Sequence, residues 1–493
     1  MIPVQHATAP KDRISWPHRI AYGAGAFVNN LLAAASGGMM IVLNLGFGMD
    51  PALVGLLGAL PRITDAFTDP VVGYISDNAR TEWGRRRPFI FWGAIVSGLL
   101  FILLWQIPGG LSEMGIFVWF LVGSILFYLA YTVFATPWVA LGFELTPDYN
   151  ERTRLMGTAN FTGQLAYVVS PWFLWIMTYE GFFDTQAEGA AGLAVVVALV
   201  VMGVGIIPAL VLREPMRGVA ASEKPPASAG AGSALAAGLM QNLRDFFAGF
   251  KTVLESKPFL LLCAATFLVF NGFMLIASFQ SYVLIYYVFG GVQEAGARYV
   301  GIAGTVGTVA TFAIVAFTTW LGTKIGKRRA FIWSTGLSIL GYGLKWVTYD
   351  PDMPWLIVLP APLMAFGLGG LFTLVPAMLA DVVDVDELTS GERREGMFGS
   401  IYWWVVKLGM AGALALSGVM LNVTGFDVDL GGAQTVETLF LLRVFDVVVP
   451  MVFSAIAIWA IWRFPITEAT AREVRAELER RRGTADMDAL DAG

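Results

Sequence analysis

The chain has 493 residues, 56% of them hydrophobic and only 14% charged, with a mean hydropathy of +0.66 and a net charge of −5. A water-soluble domain carries about 25% charged residues, so this composition excludes a soluble enzyme. One cysteine (Cys263) and two histidines (His6, His18) exclude an internal disulfide, a Cys/His-bound zinc or iron–sulfur centre, and bis-histidine haem inside the membrane.

Apolar runs of about 20 or more residues recur along the chain, each long enough for a hydrocarbon core of about 30 Å. They predict an all-α polytopic membrane protein with twelve spans. In chain order these lie near 19–46, 51–77, 88–107, 116–142, 157–180 and 190–212, then 259–289, 295–321, 329–349, 355–380, 397–424 and 437–463. The first is too long for the h-region of a cleavable signal, and Lys11, Arg13 and Arg19 precede it. Residues 214–258 read as a linker, with Ala, Gly and Ser enriched over 227–238 and a short amphipathic piece near 240–255. The expected division is a six-helix bundle over 1–213, the linker, a second bundle over 259–464, and a tail over 465–493.

Of the 32 Lys and Arg residues, 27 fall on one side of this topology, which places both termini and the linker in the cytoplasm. An internal repeat agrees with the division. Gly84-Arg85-Arg86-Arg87-Pro88-Phe89-Ile90 returns 242 residues later as Gly326-Lys327-Arg328-Arg329-Ala330-Phe331-Ile332. Two halves with matching basic loops imply parallel repeats about an axis along the membrane normal, the major facilitator arrangement.

Span 2 carries Arg62, Asp65 and Asp69, at spacings of three and four residues, so all three share one helix face. A carboxylate at membrane depth is costly unless paired or hydrated. Arg62 can neutralise one aspartate, and the second requires a mobile cation or a proton. Lys407 in span 11 is the other deep charge and the expected counter-charge to Asp65 or Asp69. Lys345 near Asp350, and Arg443 beside Asp446, are expected to snorkel or to pair locally.

Asp77, at the end of span 2, is expected to accept from Arg85 and Arg86 and to hold spans 2 and 3 in one orientation. Asp381, Asp384 and Arg393, with Asp386, Glu387, Arg394 and Glu395, mark the ends of spans 10 and 11. With Glu144, Asp148, Arg152 and Arg154 they could form a breakable ion-pair gate. Three arginines beside a membrane are a topology signal and predict no nucleic-acid partner. No P-loop is present, which excludes an ATP-driven pump. Amides and aromatics within the spans (Asn29, Asn30, Tyr128, Tyr131, Asn160, Gln164, Trp403 and Trp404) are candidate substrate contacts, since aromatic faces stack on sugar rings and amides bond hydroxyls.

The string Arg62-x-x-Asp65-x-x-x-Asp69-Pro70-x-x-Gly73, followed by Trp83-Gly84-Arg85-Arg86-Arg87-Pro88, resembles the glycoside–pentoside–hexuronide:cation symporter family of the major facilitator superfamily. So do Ala380-Asp381-Val382-Val383-Asp384, Gly391-x-Arg393-x-Glu395-Gly396 and Lys407. The arginine loop is also similar to that of sucrose-type symporters. The resemblance implies that Asp65 and Asp69 hold the coupling cation, aided by Thr132, with Lys407 nearby. Where melibiose-type members grip the sugar with two acids and an arginine, this chain has Asn30, Ala135 and Asn160.

The expected function is therefore cation-coupled symport of a glycoside by a monomeric carrier in a bacterial inner membrane. No cofactor is expected beyond the coupling ion, Na⁺ or H⁺, which stays open. Because the aspartates are expected to occupy the deep cations Arg62 and Lys407, the expected substrate is a neutral glycoside lined by Asn30, Tyr131, Asn160, Gln164, Trp403 and Trp404. An amphipathic lipid is the alternative substrate. A non-transporting scaffold is a third possibility, one that leaves two buried acids without a purpose.

Overall fold

The computed structural model describes residues 13–146, 148–214, 253–391 and 394–491. Most of the expected linker, its amphipathic piece at 240–255, and Arg393 lie outside the described residues.

Among the described residues the chain forms twelve helical spans and a tail helix. Span 1 is Trp16–Gly38, continued by Ile41–Leu45. Span 2 is Pro51–Asn78, span 3 Arg87–Trp105 and span 4 Glu113–Glu144. Span 5 runs as Tyr149–Val169 and, past a 3-10 turn at Ser170–Trp172, Phe173–Thr178; span 6 is Gln186–Gly205 with Ile207–Val211. Span 7 is Lys257–Tyr282 and ends in a π-helical segment, Val283–Val288. Span 8 is Gln293–Ile325, span 9 Lys327–Thr348, span 10 Pro360–Ser390, span 11 Glu395–Val423 and span 12 Val436–Trp462.

Nine of the spans are long and apolar enough by composition to cross a membrane. The other three are spans 2, 5 and 9. These carry Arg62, Asp65 and Asp69; Asn160 and Gln164; and Lys345, so the polar side chains that lower their hydropathy are also the candidates for function.

The described residues divide into two compact units. The first comprises those of Met1–Leu239 with Gly291–Thr305 and Gly418–Ala433; the second comprises those of Met240–Gly290, Val306–Ser417 and Gln434–Gly493. Two segments from the second half of the sequence thus belong to the first unit. Their bonds explain why. Asn422 donates to both oxygens of Asp50 at 3.0 and 2.9 Å, Trp172 Nε1 donates to Thr305 Oγ1 at 2.9 Å, and the Gln186 and Gln293 amides bond one another. Asp50 is also the N-cap of span 2, accepting from Ala52 N–H at 2.8 Å.

Within the first unit, spans 1 and 5, 3 and 4, and 2 and 4 pack side by side. Close approach is possible where side chains are small: a Cβ on Gly93 would lie 2.5 Å from Phe134 N, so span 4 sits directly against the backbone of span 3. Glu151 fastens the chain ahead of span 1 to the start of span 5. It accepts from Ile14 N–H at 3.2 Å, Arg19 at 2.7 Å and Arg154 at 2.7 Å. Burial pushes the Glu151 carboxyl up, but the donors Arg154, Ile14 and Arg19 outweigh it and hold the group below the ordinary carboxylate range.

In the second unit, spans 7, 9, 10, 11 and 12 enclose an apolar core that includes Phe259, Phe331, Leu371, Phe398, Tyr402 and Phe464. The tail helix, Glu468–Asp491, packs on span 10 with Val474 and Leu478 buried, and Arg481 donates to Leu388 O at 3.1 Å. Lys345 departs from expectation. It neither snorkels nor turns to Asp350; its Nζ donates to Asp446 Oδ1 on span 12, and both side chains are sealed from solvent at 0% and 1% exposure. The pairing joins helices whose residues lie 101 positions apart, so local spacing could not reveal it. Arg443 likewise turns to aromatic rings, lying over Tyr287 and Trp346.

Candidate cation and substrate site

Span 2 presents Asp65 and Asp69 one helical turn apart toward span 4. Pro61 and Pro70 lie within the same helix, and neither ring nitrogen can donate to the backbone ladder there. Thr132 of span 4, itself buried, points at the pair. Its Oγ1 stands 2.7 Å from Asp65 Oδ1 and 3.1 Å from Asp69 Oδ1, which keeps the two carboxylate oxygens within about 6 Å of one another. A hydroxyl has one proton and two lone pairs. It donates to one carboxylate at a time and keeps an acceptor face for a cation. Two carboxylates and a hydroxyl form an oxygen cluster suited to a hard monovalent cation or to a shared proton.

Arg62, one turn before Asp65, does not pair with it. Its guanidinium lies over the Tyr128 ring, 4.8 Å from the centroid, and its Nε is buried without a hydrogen-bond partner. The Tyr128 hydroxyl donates to Ser36 Oγ at 3.0 Å, which fixes that ring. The adjacent residue on span 4, Tyr131, donates to the carbonyl and the side-chain oxygen of Asn29 at 3.0 and 2.9 Å; Asn29 in turn donates to Asn30 at 3.3 Å. The Asn30 amide lies against span 5, where a Cβ on Gly163 would stand 2.7 Å from its Nδ2. Spans 1, 2, 4 and 5 therefore bring Arg62, Tyr128, Tyr131, Asn29 and Asn30 together with the aspartates.

Other candidates lie elsewhere. Asn160 is exposed and Gln164 half-buried on span 5. Lys407, Trp403 and Trp404 belong to the second unit, on span 11; Trp403 is 52% exposed and meets Tyr402 edge to face at 5.6 Å.

The loop charges form two self-contained networks. In the first unit Arg86 bonds Asp77 at 2.6 Å, and both Arg85 and Arg86 meet Glu144. In the second, Lys327 bonds Asp381 at 2.7 Å and Arg394 stands 3.9 Å from Asp386, one turn before the end of span 10, while Asp384 lies half-buried between them. A residue not singled out in the sequence completes the first network. Glu214, past the end of span 6, accepts the backbone N–H groups of Arg85, Arg86 and Arg87. The signal for it was faint: a lone acid following Arg213, at the mouth of the linker.

A twelve-span helical carrier with an oxygen cluster at membrane depth defines a polytopic solute transporter, not an enzyme. The chain belongs to the MFS/sugar transport protein family, whose model matches residues 21–468. It is 26% identical to the isoprimeverose transporter of Lactiplantibacillus pentosus over 91% of this chain and 89% of that protein. It is 24% identical to the glucuronide carrier protein homolog of Escherichia coli (strain K12), over 96% and 97% of the two chains. Among solved structures, a bacterial homolog of the human lysosomal transporter Spinster, in an inward-facing and unoccupied conformation, matches with a TM-score of 0.63, at 18% identity, over 93% of this chain and 98% of that one. These findings bear out the membership in the glycoside–pentoside–hexuronide symporters of the major facilitator superfamily that span 2 and its loop implied.

Proposed function

We propose that the protein couples entry of a glycoside to a monovalent cation bound by Asp65, Asp69 and Thr132, by alternating access across a bacterial inner membrane with both termini cytoplasmic. The observation that carries this reading is the single hydroxyl of Thr132 shared between two carboxylates of span 2. The relatives named for isoprimeverose and for a glucuronide support a sugar as the cargo. Arg62, Asn30 and Tyr131 supply its contacts from the first unit, and Trp403, Trp404 and Lys407 from the second. Uptake of a radiolabelled glycoside into proteoliposomes, with an imposed Na⁺ or H⁺ gradient, tests the proposal. Gradient-driven uptake that Asp65→Asn and Asp69→Asn each abolish supports it. Full uptake in both variants would overturn it.

Arg62 favours a second reading of the cargo. A neutral glycoside follows if carboxylates occupy the deep cations, but the guanidinium of Arg62 has an aromatic partner and no ion pair. A fixed positive charge on span 2 is then available to an acidic glycoside, whose carboxylate a guanidinium binds in bidentate fashion. Competition of uptake by neutral glycosides against uronides decides between them.

A further inference from the structure

The second unit contains a charge cluster that the transport reading does not use. Lys345 of span 9 donates to Asp446 Oδ1 of span 12, and the two side chains are 0% and 1% exposed. Tyr342, Met364 and Met451 close over the pair, and the Tyr349 ring stands 5.1 Å from Lys345 Nζ. Asp446 Oδ2 is buried with no hydrogen-bond partner, so the lysine is the only hydrogen-bonding group that meets this carboxylate among the described residues. One turn before Asp446, Arg443 is held between rings from two other helices. Its guanidinium lies 4.1 Å from the centroid of Tyr287, in the π-helical end of span 7, and 4.5 Å from that of Trp346, to whose carbonyl it donates at 2.7 Å.

A single charge in such surroundings carries a desolvation cost that only its counter-charge offsets. Removing one partner of a buried pair is strongly destabilising, whereas replacing both with apolar groups is often neutral. Two charges placed on different helices, each satisfied by the other, therefore select one register of span 9 against span 12. An apolar contact would tolerate a slide of the helices; this pair does not. We propose that Lys345 and Asp446 form an ionic lock that fixes span 9 to span 12, beside the arginine clamp that ties in the π-helical end of span 7.

The test uses the full-length protein purified in detergent, with thermal unfolding followed by intrinsic fluorescence and monodispersity by gel filtration. It needs no substrate and no coupling ion, so its outcome is independent of the cation-site reading. Lys345→Met and Asp446→Leu are made singly and together. Each single variant is expected to lower Tm by about 10 °C, or to fail to yield monodisperse protein. The double variant is expected to recover at least half of that loss, or to fold where the singles do not. Single variants within about 3 °C of the parent, or a double variant that recovers less than half of the loss, would overturn the lock.

Discussion

Glu214 closes over Gly84: its carboxylate accepts the three backbone N–H groups that follow that glycine, at 2.9, 2.9 and 3.0 Å. These are the donors that a helix N-terminus leaves unsatisfied, and a carboxylate there also meets the positive end of the span 3 dipole. Gly84 has φ 124°, and a Cβ on it would lie 2.5 Å from Glu214 Oε1. Gly84→Ala thus brings a strained backbone and a clash together. It should lower unfolding free energy by more than about 1 kcal/mol, and Glu214→Ala should cost about 1–3 kcal/mol through its buried donors. Thermal unfolding of the two variants checks this, and Glu214→Gln should fall between Glu214→Ala and the parent.

Thr132 separates an oxygen ligand from a packing residue. Thr132→Val keeps the shape and removes the hydroxyl, so the cation concentration for half-maximal uptake should rise about tenfold or more. Thr132→Ser restores the oxygen and should recover most of the loss. Equal defects in both variants would assign Thr132 to packing.

Arg62 gives a prediction that depends on the cargo. If the substrate is acidic, Arg62→Gln should raise its apparent Kd by about 10- to 100-fold, and Arg62→Lys should repair only part, since a lysine cannot form the bidentate pair. If it is neutral, the loss should be several-fold, reflecting Tyr128 released from the guanidinium. Titration of both variants with a uronide and a neutral glycoside reads the difference directly.

The Glu151 anchor makes stability pH-dependent in a defined direction. Its carboxyl is held below the ordinary range, so it contributes stability that is complete above the unfolded value of about 4.3 and lost as pH falls through the lowered folded value. Tm between pH 7 and pH 3.5 should therefore drop less in Glu151→Gln than in the parent, with the difference confined to the acid end. At pH 7 the variant should already be less stable, by about 2–3 kcal/mol, because Arg19 and Arg154 lose their charged partner.

The spans and the aspartate stripe were legible because each rests on local pattern: hydropathy over about 20 residues, and a four-residue spacing that sets two carboxylates on one face. The repeat was legible for the same reason, and it extends to side chains, since Arg85 meets the end of span 4 as Lys327 meets the end of span 10. What stayed hidden depends on tertiary approach. Nothing near Lys345 announces Asp446, and the Tyr128 ring that takes Arg62 away from Asp65 comes from another helix. The N-cap role of Asp50 can be read from sequence, whereas its bond to Asn422, 372 residues away, cannot.

The neutralised arginine loop also bears on the order of events during synthesis. Arg85, Arg86 and Arg87 leave the ribosome well before Glu144 and Glu214, the acids that finally bind their side chains and backbone. While spans 2 and 3 are being inserted, the loop presents its positive charge undiminished, the condition under which such charge directs orientation. Once spans 4 and 6 arrive, the same guanidinium groups are drawn into the protein. Orientation is thus a property of the nascent chain and cohesion a property of the finished one. Replacing Glu144 should spare the topology and weaken the bundle, whereas replacing the arginines should disturb both.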